Sequence, residues 1–437
     1  MLQGKRILVL IGCITLLLIS WIVAINSKSD EEKQLILLER ATELISNGIF
    51  IHAAPLLEEA VVFKTDYTVA IEDELKRVYL ALIETRGYRR KYVNLLEEQM
   101  NRANADPYVF AEAANYYLGI SRIPEALAML RDGIDRTGDV DLMSIYELHR
   151  YSYETNRKVY EDVTAIYGET VQVQIDGLWG LAHSNGIMLI PCLYDKISTF
   201  SIDRAIVLHE EEIYAINTDG NRIALLHEPA VDFGNYADNR IPILLDTGWR
   251  RATGEFEIGT ASFEQIGMYS DGYAAAKVDG KWGVIDLALN WLIPPEFDEI
   301  KQDELGRCYS GGAVFARLDR KVYLFVDGQW MSETYDDARP FCGDGYAAVK
   351  RNGFWGFIDR TGTVRIGYRF HDALSFGQHL AAISQGELWG YINISGTIVI
   401  EPVFHNARSF SNGSAPVQTD NGWQFITLIE YRKGPNL

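Results

Sequence analysis

The chain offers few residues in arrangements that do chemistry. Its eight histidines, His52, His149, His183, His209, His227, His371, His379 and His405, are scattered. None forms the i, i+4 pair with an intervening Glu that a zinc hydrolase uses, and the sequence holds no G-x-S-x-G, no phosphate-cradling Gly loop and no C-x-x-C. His371 and His405 fall at equivalent places in a repeat, which points to strand-end roles. The turns Ser270-Asp271-Gly272 and Gly343-Asp344-Gly345 could attract a cation, yet they lack the alternating oxygen ligands of a calcium loop and read as strand-entry turns. Cys308 and Cys342 stand at near-equivalent positions of neighbouring repeat units. A disulfide would need Cα atoms within about 7 Å, so free thiols are the expectation and the pairing is left open. No catalytic, cofactor-binding or metal-binding residue can be named, and the chain reads as a non-enzyme.

The elements that would position any site come from composition and period. The chain has 437 residues, 48% hydrophobic and 23% charged, enough for two or three ordinary cores. Sixty acidic side chains against 41 basic ones give a formal charge of −19, which repels phosphate and argues against nucleic acid as a partner. Four cysteines exclude a disulfide-stapled scaffold.

Residues Ile7 to Ile25 form an uncharged run with a length of roughly 28 Å as a helix, about one hydrocarbon core. Lys5 and Arg6 precede the run, while Asp30, Glu31 and Glu32 follow it. A membrane anchor over residues 1–26 is therefore expected, with the short N-terminus in the cytoplasm and the bulk of the chain outside it. Val23-Ala24-Ile25-Asn26-Ser27 makes a poor cleavage site for a signal peptide. Leu10-Ile11-Gly12-Cys13 looks like a lipobox but puts its Cys in mid-membrane.

From about residue 30 to 165 apolar positions recur at helical spacing. Leu35, Leu38, Ala41 and Leu44-Ile45 form one face, ended by Asn47-Gly48. Ala114, Tyr117, Ala126, Leu130 and Gly133 fit a helix–turn–helix hairpin. A similar template fits Leu80, Ile83, Gly87, Tyr92 and Leu96, and again Gly48, Ala53, Leu57 and Ala60, with a partial copy at Leu148, Tyr151 and Tyr160. Small residues at crossing points let helices approach closely. The segment resembles the tetratricopeptide repeat family in about three and a half copies, with Phe110 where the family has an early Trp and without its closing Pro. The resemblance implies a concave surface that captures a peptide or a partner domain.

From about 166 to 432 a second repeat takes over. Trp179-Gly180, Trp282-Gly283, Trp355-Gly356 and Trp389-Gly390 share one pattern, and Trp249 and Trp423 fit the same period. Degenerate copies at Ile213-Tyr214 and Val322-Tyr323 complete eight units. Asp-Gly or Asn-Gly precedes the Trp, as at Asp176-Gly177, Asp279-Gly280, Asn352-Gly353 and Asn421-Gly422, the preferred centre of a two-residue hairpin. An aromatic follows the Trp at a constant interval: Tyr194, Phe297, Phe370 and Phe404. Three strands per unit are expected. This pattern resembles the bacterial WG (KWG) repeat family, known mostly as a structural repeat attached to other modules, which implies binding or scaffolding rather than chemistry.

A Trp recurring at one strand position beside a Gly is what stacked repeats use to bury a core. Trp179, Gly180, Trp249, Trp282, Gly283, Trp355, Gly356, Trp389, Gly390 and Trp423 are thus expected to be structural. Eight units close as a propeller-like ring or run as an open superhelix. Closure requires a last strand supplied from elsewhere, for which Ile166–Val173 is a candidate. The expected architecture is multidomain α + β: anchor 1–26, tetratricopeptide-like helical repeats 30–165, and an all-β array of about eight WG-type repeats, 166–432. The expected role is a membrane-anchored extracytoplasmic scaffold of the bacterial cell envelope that binds an unidentified protein partner. A cell-wall or polysaccharide binder is the alternative.

Overall fold

The computed structural model describes residues 29–343 and 345–431. The anchor predicted at 7–25 lies outside them. No helix among the described residues is long and apolar enough to cross a membrane. The chain divides into a helical unit ending at His149 and a β unit from Arg150.

Seven described helices make the first unit: Asp30–Ser46, Phe50–Val61, Thr68–Ala81, Tyr88–Met100, Pro107–Gly119, Ile123–Thr137 and Val140–His149. Local chemistry fixes their ends. The Ser29 hydroxyl accepts from Glu32 N–H at 3.2 Å, and Asp30, Glu31 and Glu32 sit where a helix N-terminus favours negative charge. Asp106 caps the fifth helix by accepting from Tyr108 N–H at 2.9 Å, with Pro107 at the first helical position. One apolar cluster runs through all seven helices and includes Ala53, Leu57, Ala60, Tyr92, Phe110, Ala114 and Leu130. Gly133 is a close crossing: a Cβ there would meet Leu142 at 2.7 Å and Phe110 at 2.8 Å. Alternate helices start at Asp30, Thr68, Pro107 and Val140, so the hairpins do not share one repeat length. The partial fourth copy does not exist as helix. Leu148 closes the last helix, Tyr151 follows it, and Tyr160 pairs with Trp423 in the β unit. The helical boundary therefore falls at 149, not 165, because residues 150–165 gain strand partners that no local period announces.

The β unit has eight separate sheets in chain order. Blade 1 is Asp162–Val163, Thr170–Ile175, Leu178–His183 and Met188–Tyr194. Blades 2, 4, 5, 6 and 7 repeat this plan of one two-residue strand followed by three longer ones. Blade 3 has three strands, with its outer edge reduced to isolated bridges Trp249–Phe263 and Ala252–Ile258. Blade 8 takes Asn406–Ala407, Ser414–Thr419 and Gly422–Leu428, and its outermost strand is Tyr153–Thr155. The array is thus a closed eight-bladed ring. The unit has four strands, not three, since the two-residue strand after each aromatic is too short to show a period. The closing strand is Tyr153–Thr155 rather than Ile166–Val173, whose latter part is the second strand of blade 1.

The Trp-Gly pattern has a direct geometric meaning. Trp179, Trp282, Trp355 and Trp389 are the Cα partners of Tyr194, Phe297, Phe370 and Phe404, so the constant interval is one antiparallel cross-strand pair repeated around the ring. The register shifts just after each Trp, and the outer strand crowds the Gly. A Cβ on Gly180, Gly283, Gly356 or Gly390 would sit 2.4–2.8 Å from the carbonyl oxygen of Ile190, Ile293, Ile366 or Ile400. Trp355 and Trp423 are buried, while Trp179, Trp249, Trp282 and Trp389 are half-buried. The apolar clusters lie between neighbouring blades. Trp355 packs with Phe370, Ala373 and Ile383, and Trp423 and Phe425 pack on Tyr160, Val163 and Val171 across the seam.

Charge ties blades 5 and 6. Lys301 contacts Glu299 at 2.9 Å and Asp337 at 3.0 Å, and Arg317 contacts the same two at 2.8 Å each. Burial raises both carboxyls, but the hydrogen bonds and charges of Lys301 and Arg317 prevail and hold them below their ordinary values. A carboxyl lowered in the folded state adds stability above its unfolded pKa and loses it as pH falls below. Asp337→Asn should therefore lower the melting temperature at neutral pH, with the gap to wild type shrinking as pH falls below about 4, the ordinary Asp value. A gap that stays constant with pH in calorimetry would refute the ion-pair account.

Candidate functional site

Three regions gather polar groups in concave surroundings, the third of them at the seam beside Glu169, His183 and Asn412. The first is a groove of about 510 Å³ on the helical unit, lined by Val69, Lys76, Leu80, Gln99, Tyr108 and Glu112 among others. Its floor is a buried polar network. Lys76 bridges Glu112 at 2.7 Å and Asp73 at 3.0 Å. Burial lowers the Lys76 pKa, but the two carboxylates outweigh it and the net direction is up. Glu72 accepts from Arg102 at 2.6 and 2.9 Å and from Gln99 at 3.0 Å. The Gln99 Oε1 atom is buried without a hydrogen-bond partner. Above this floor Val69, Tyr108 and Leu80 are exposed. The groove thus sets an apolar rim over a polar floor.

The second region is the ring axis, where residues following the two-residue strands converge. In blade 5 twelve residues separate Ile300 from Ala313, where the other blades have six or seven at this place. The extra length folds inward as a plug. Leu305 packs with Ala165, Tyr167, Ala237 and Met268 from three other blades. Its carbonyl accepts from Asn235 Nδ2 at 3.0 Å, and the Gly306 carbonyl accepts from Met268 N–H at 3.0 Å. Within the plug Arg307 pairs with Asp303 at 2.6 Å, and on the side of blades 6 to 8 the plug faces two arginines, Arg339, paired with Asp372 at 2.9 Å, and Arg408, paired with the plug's Glu304 at 2.9 Å. Loss of hydration pushes the Glu304 carboxyl up, against the pull of Arg408. The Arg408–Glu304 pair is the one of the three that ties the plug to another blade.

The residues with chemical potential in the sequence take structural places. The Asp271 carboxylate accepts from Gly311 N–H at 3.0 Å, across to the next blade. Asp238 accepts from Gly272 N–H at 2.9 Å and Gln378 from Gly413 N–H at 2.7 Å, while Asn412 Nδ2 donates to Gly168 O at 2.6 Å across the seam. Side chains at equivalent turns, Asp238, Asp271, Gln378 and Asn412, thus latch blade to blade; Asp344 lies outside the described residues. His371 Nδ1 accepts from Gly386 N–H at 3.0 Å, the place where Asp336 accepts from Asn352 N–H at 2.7 Å. His405 contacts Asp420 at 2.7 Å. Cys192, Cys308 and Cys342 form no disulfide among the described residues, and burial lifts the Cys308 thiol to about 12. No cluster of metal-ligating side chains occurs among the described residues. Exposed Trp is found outside the repeat motif, at Trp291 and Trp330, with the Trp330 ring 4.8 Å from that of Phe297. Sequence reasoning misses the plug and the groove floor. The plug's only signal is the lengthened blade 5 spacing.

The fold is an eight-bladed β-propeller following a unit of seven described helices. The β unit carries WG containing repeats, which the family's model matches at residues 179–211, 260–282, 282–303, 327–353, 355–389 and 389–423. No curated protein matches the chain. Among solved structures, the chain is similar to Kluyvelomyces marxianus Hsv2 (9% identity, TM-score 0.35, covering 57% of this chain and 85% of that one). It is also similar to the Neurospora crassa Pan2 WD40 domain (11%, 0.34, 61% and 88%) and to the calcium-binding protein regucalcin of Agrobacterium tumefaciens (10%, 0.25, 54% and 89%). At these scores the likeness carries nothing about function.

Proposed function

We propose that this chain is a membrane-anchored, non-catalytic scaffold outside the cytoplasm that holds a protein partner. The observation that supports it best is the helical groove, where exposed Val69, Leu80 and Tyr108 rim a polar floor holding an unpartnered Gln99 Oε1. Consecutive helical hairpins agree with peptide capture, and residues 7–25 would supply the anchor.

The test is affinity capture from envelope extracts with full-length protein. Val69→Asp combined with Tyr108→Ala replaces rim contacts on exposed positions, so circular dichroism should not change. Partner recovery should fall by about tenfold or more, the effect of losing aromatic and aliphatic anchors at an interface. Recovery of the same proteins by the variant would sink the proposal. Recovery of isolated wall polymer in place of protein would favour the polysaccharide alternative.

A further inference from the structure

The plug leaves a second cavity on the side of blades 1 to 4, about 680 Å³, within the usual range of small-molecule sites. Gln172, on the second strand of blade 1, lines it and is almost wholly buried. Its amide orientation is fixed by a chain of hydrogen bonds. Asn235 Nδ2 donates to the Leu305 carbonyl at 3.0 Å, so Asn235 Oδ1 must face the other way, where it accepts from Thr199 N–H at 3.0 Å and from Gln172 Nε2 at 3.1 Å. Gln172 Nε2 also donates to the Ile197 carbonyl at 2.5 Å. The amide cannot flip without setting acceptor against acceptor. Gln172 Oε1 is consequently a buried acceptor with no partner among the described residues. Folding strips such an atom of water and returns nothing, so this one calls for a donor from outside the chain.

The rest of the lining shows which donor. Trp179 lines the same cavity, half-buried, and it lies on the same face of blade 1: Trp179 opposes Gln174, two positions along from Gln172. Gln302 and Asp195 line it as well, and neither side chain has a partner among the described residues. Apart from Asp195, formal charges nearby are paired, with Lys196 on Asp232 at 2.6 Å and Glu304 on Arg408 at 2.9 Å. A carboxylate or phosphate would meet Asp195 with its charge uncompensated. Hydroxyl groups fit better, because each can donate to Gln172 Oε1 or Asp195 and accept from the Gln302 amide, while an apolar ring face can lie on Trp179.

We propose that this axial cavity binds a neutral polyhydroxylated ligand of mono- or disaccharide size, with Gln172 Oε1 as the buried acceptor for one of its hydroxyls. The proposal is independent of the helical groove. The experiment is ligand-observed NMR and calorimetric titration of the full chain with glucose, N-acetylglucosamine and maltose at millimolar concentration, with tetramethylammonium as a cationic probe. At least one sugar should bind. Gln302→Ala removes an amide that the protein itself does not use, so its melting temperature should match wild type while sugar affinity falls several-fold. Gln172→Leu should weaken binding at least about tenfold, the equivalent of one well-made hydrogen bond. Absence of binding by all three sugars overturns the proposal. So does binding that both variants leave unchanged, or binding of tetramethylammonium alone.

Discussion

Trp355→Ala lowers the unfolding free energy of the β unit by about 3–5 kcal/mol, the usual cost of deleting a large aromatic from a packed core. The expectation follows from its place between two blades. The indole is buried among Phe357, Phe370, Ala373 and Ile383, and Arg339 lies over it at 5.1 Å. Phe370, the Cα partner of Trp355, is held beside it by the strand pairing. Trp389→Ala, at the same repeat position, should cost less because that indole is half-buried and part of its surface already meets water. Urea denaturation of residues 29–437, followed by far-UV circular dichroism, gives both midpoints. Equal shifts would mean that the motif Trp acts through local strand propensity, and no shift for Trp355→Ala would remove it from the core.

The second large effect concerns the seam. A fragment starting at Arg150 should be monomeric and cooperative, whereas one starting at Ile166 should melt lower and aggregate. The shorter fragment loses strand Tyr153–Thr155, whose residues pair with Leu428, Thr427 and Ile426. It also loses the bonds of Asn156 N–H to Phe425 O and of Tyr160 N–H to Trp423 O, both 2.9 Å, and the buried Tyr160 ring against Phe425. What remains is blade 8 with the strand Gly422–Leu428 as a bare, largely apolar edge, a template for pairing with another chain. Size-exclusion chromatography with thermal melts separates the cases. A 166–437 fragment as monomeric and stable as 150–437 would show that the ring does not depend on its closing strand.

Legibility in the sequence follows the distance between partners. The Trp, the turn before it and the aromatic that follows it belong to one hairpin and its neighbouring strand, so hydrophobic alternation and Asn-Gly or Asp-Gly punctuation expose them. The eight units and the structural place of Trp355 and Trp423 are readable for that reason. The two-residue strands are not, because two positions define no period. The closing strand is invisible because its partner lies at the opposite end of the β unit, and nothing in Tyr153-Glu154-Thr155 differs from a loop. The plug is a length difference, which a reader of motifs discounts. The groove floor is hidden in another way: Glu72, Lys76 and Gln99 are buried polar residues on helices whose pattern would place them at the surface.

Tyr153 and Leu428 face each other as register partners, so the polypeptide enters and leaves the ring through adjacent positions of a single sheet. A ring with neighbouring ends behaves as a cassette: it can be inserted into a surface loop of another protein, or its ends can be joined and new ones opened at an outer turn such as Asn352-Gly353, without redrawing any blade. It also means that gain or loss of a whole repeat elsewhere in the chain changes the ring's circumference but leaves its point of entry intact.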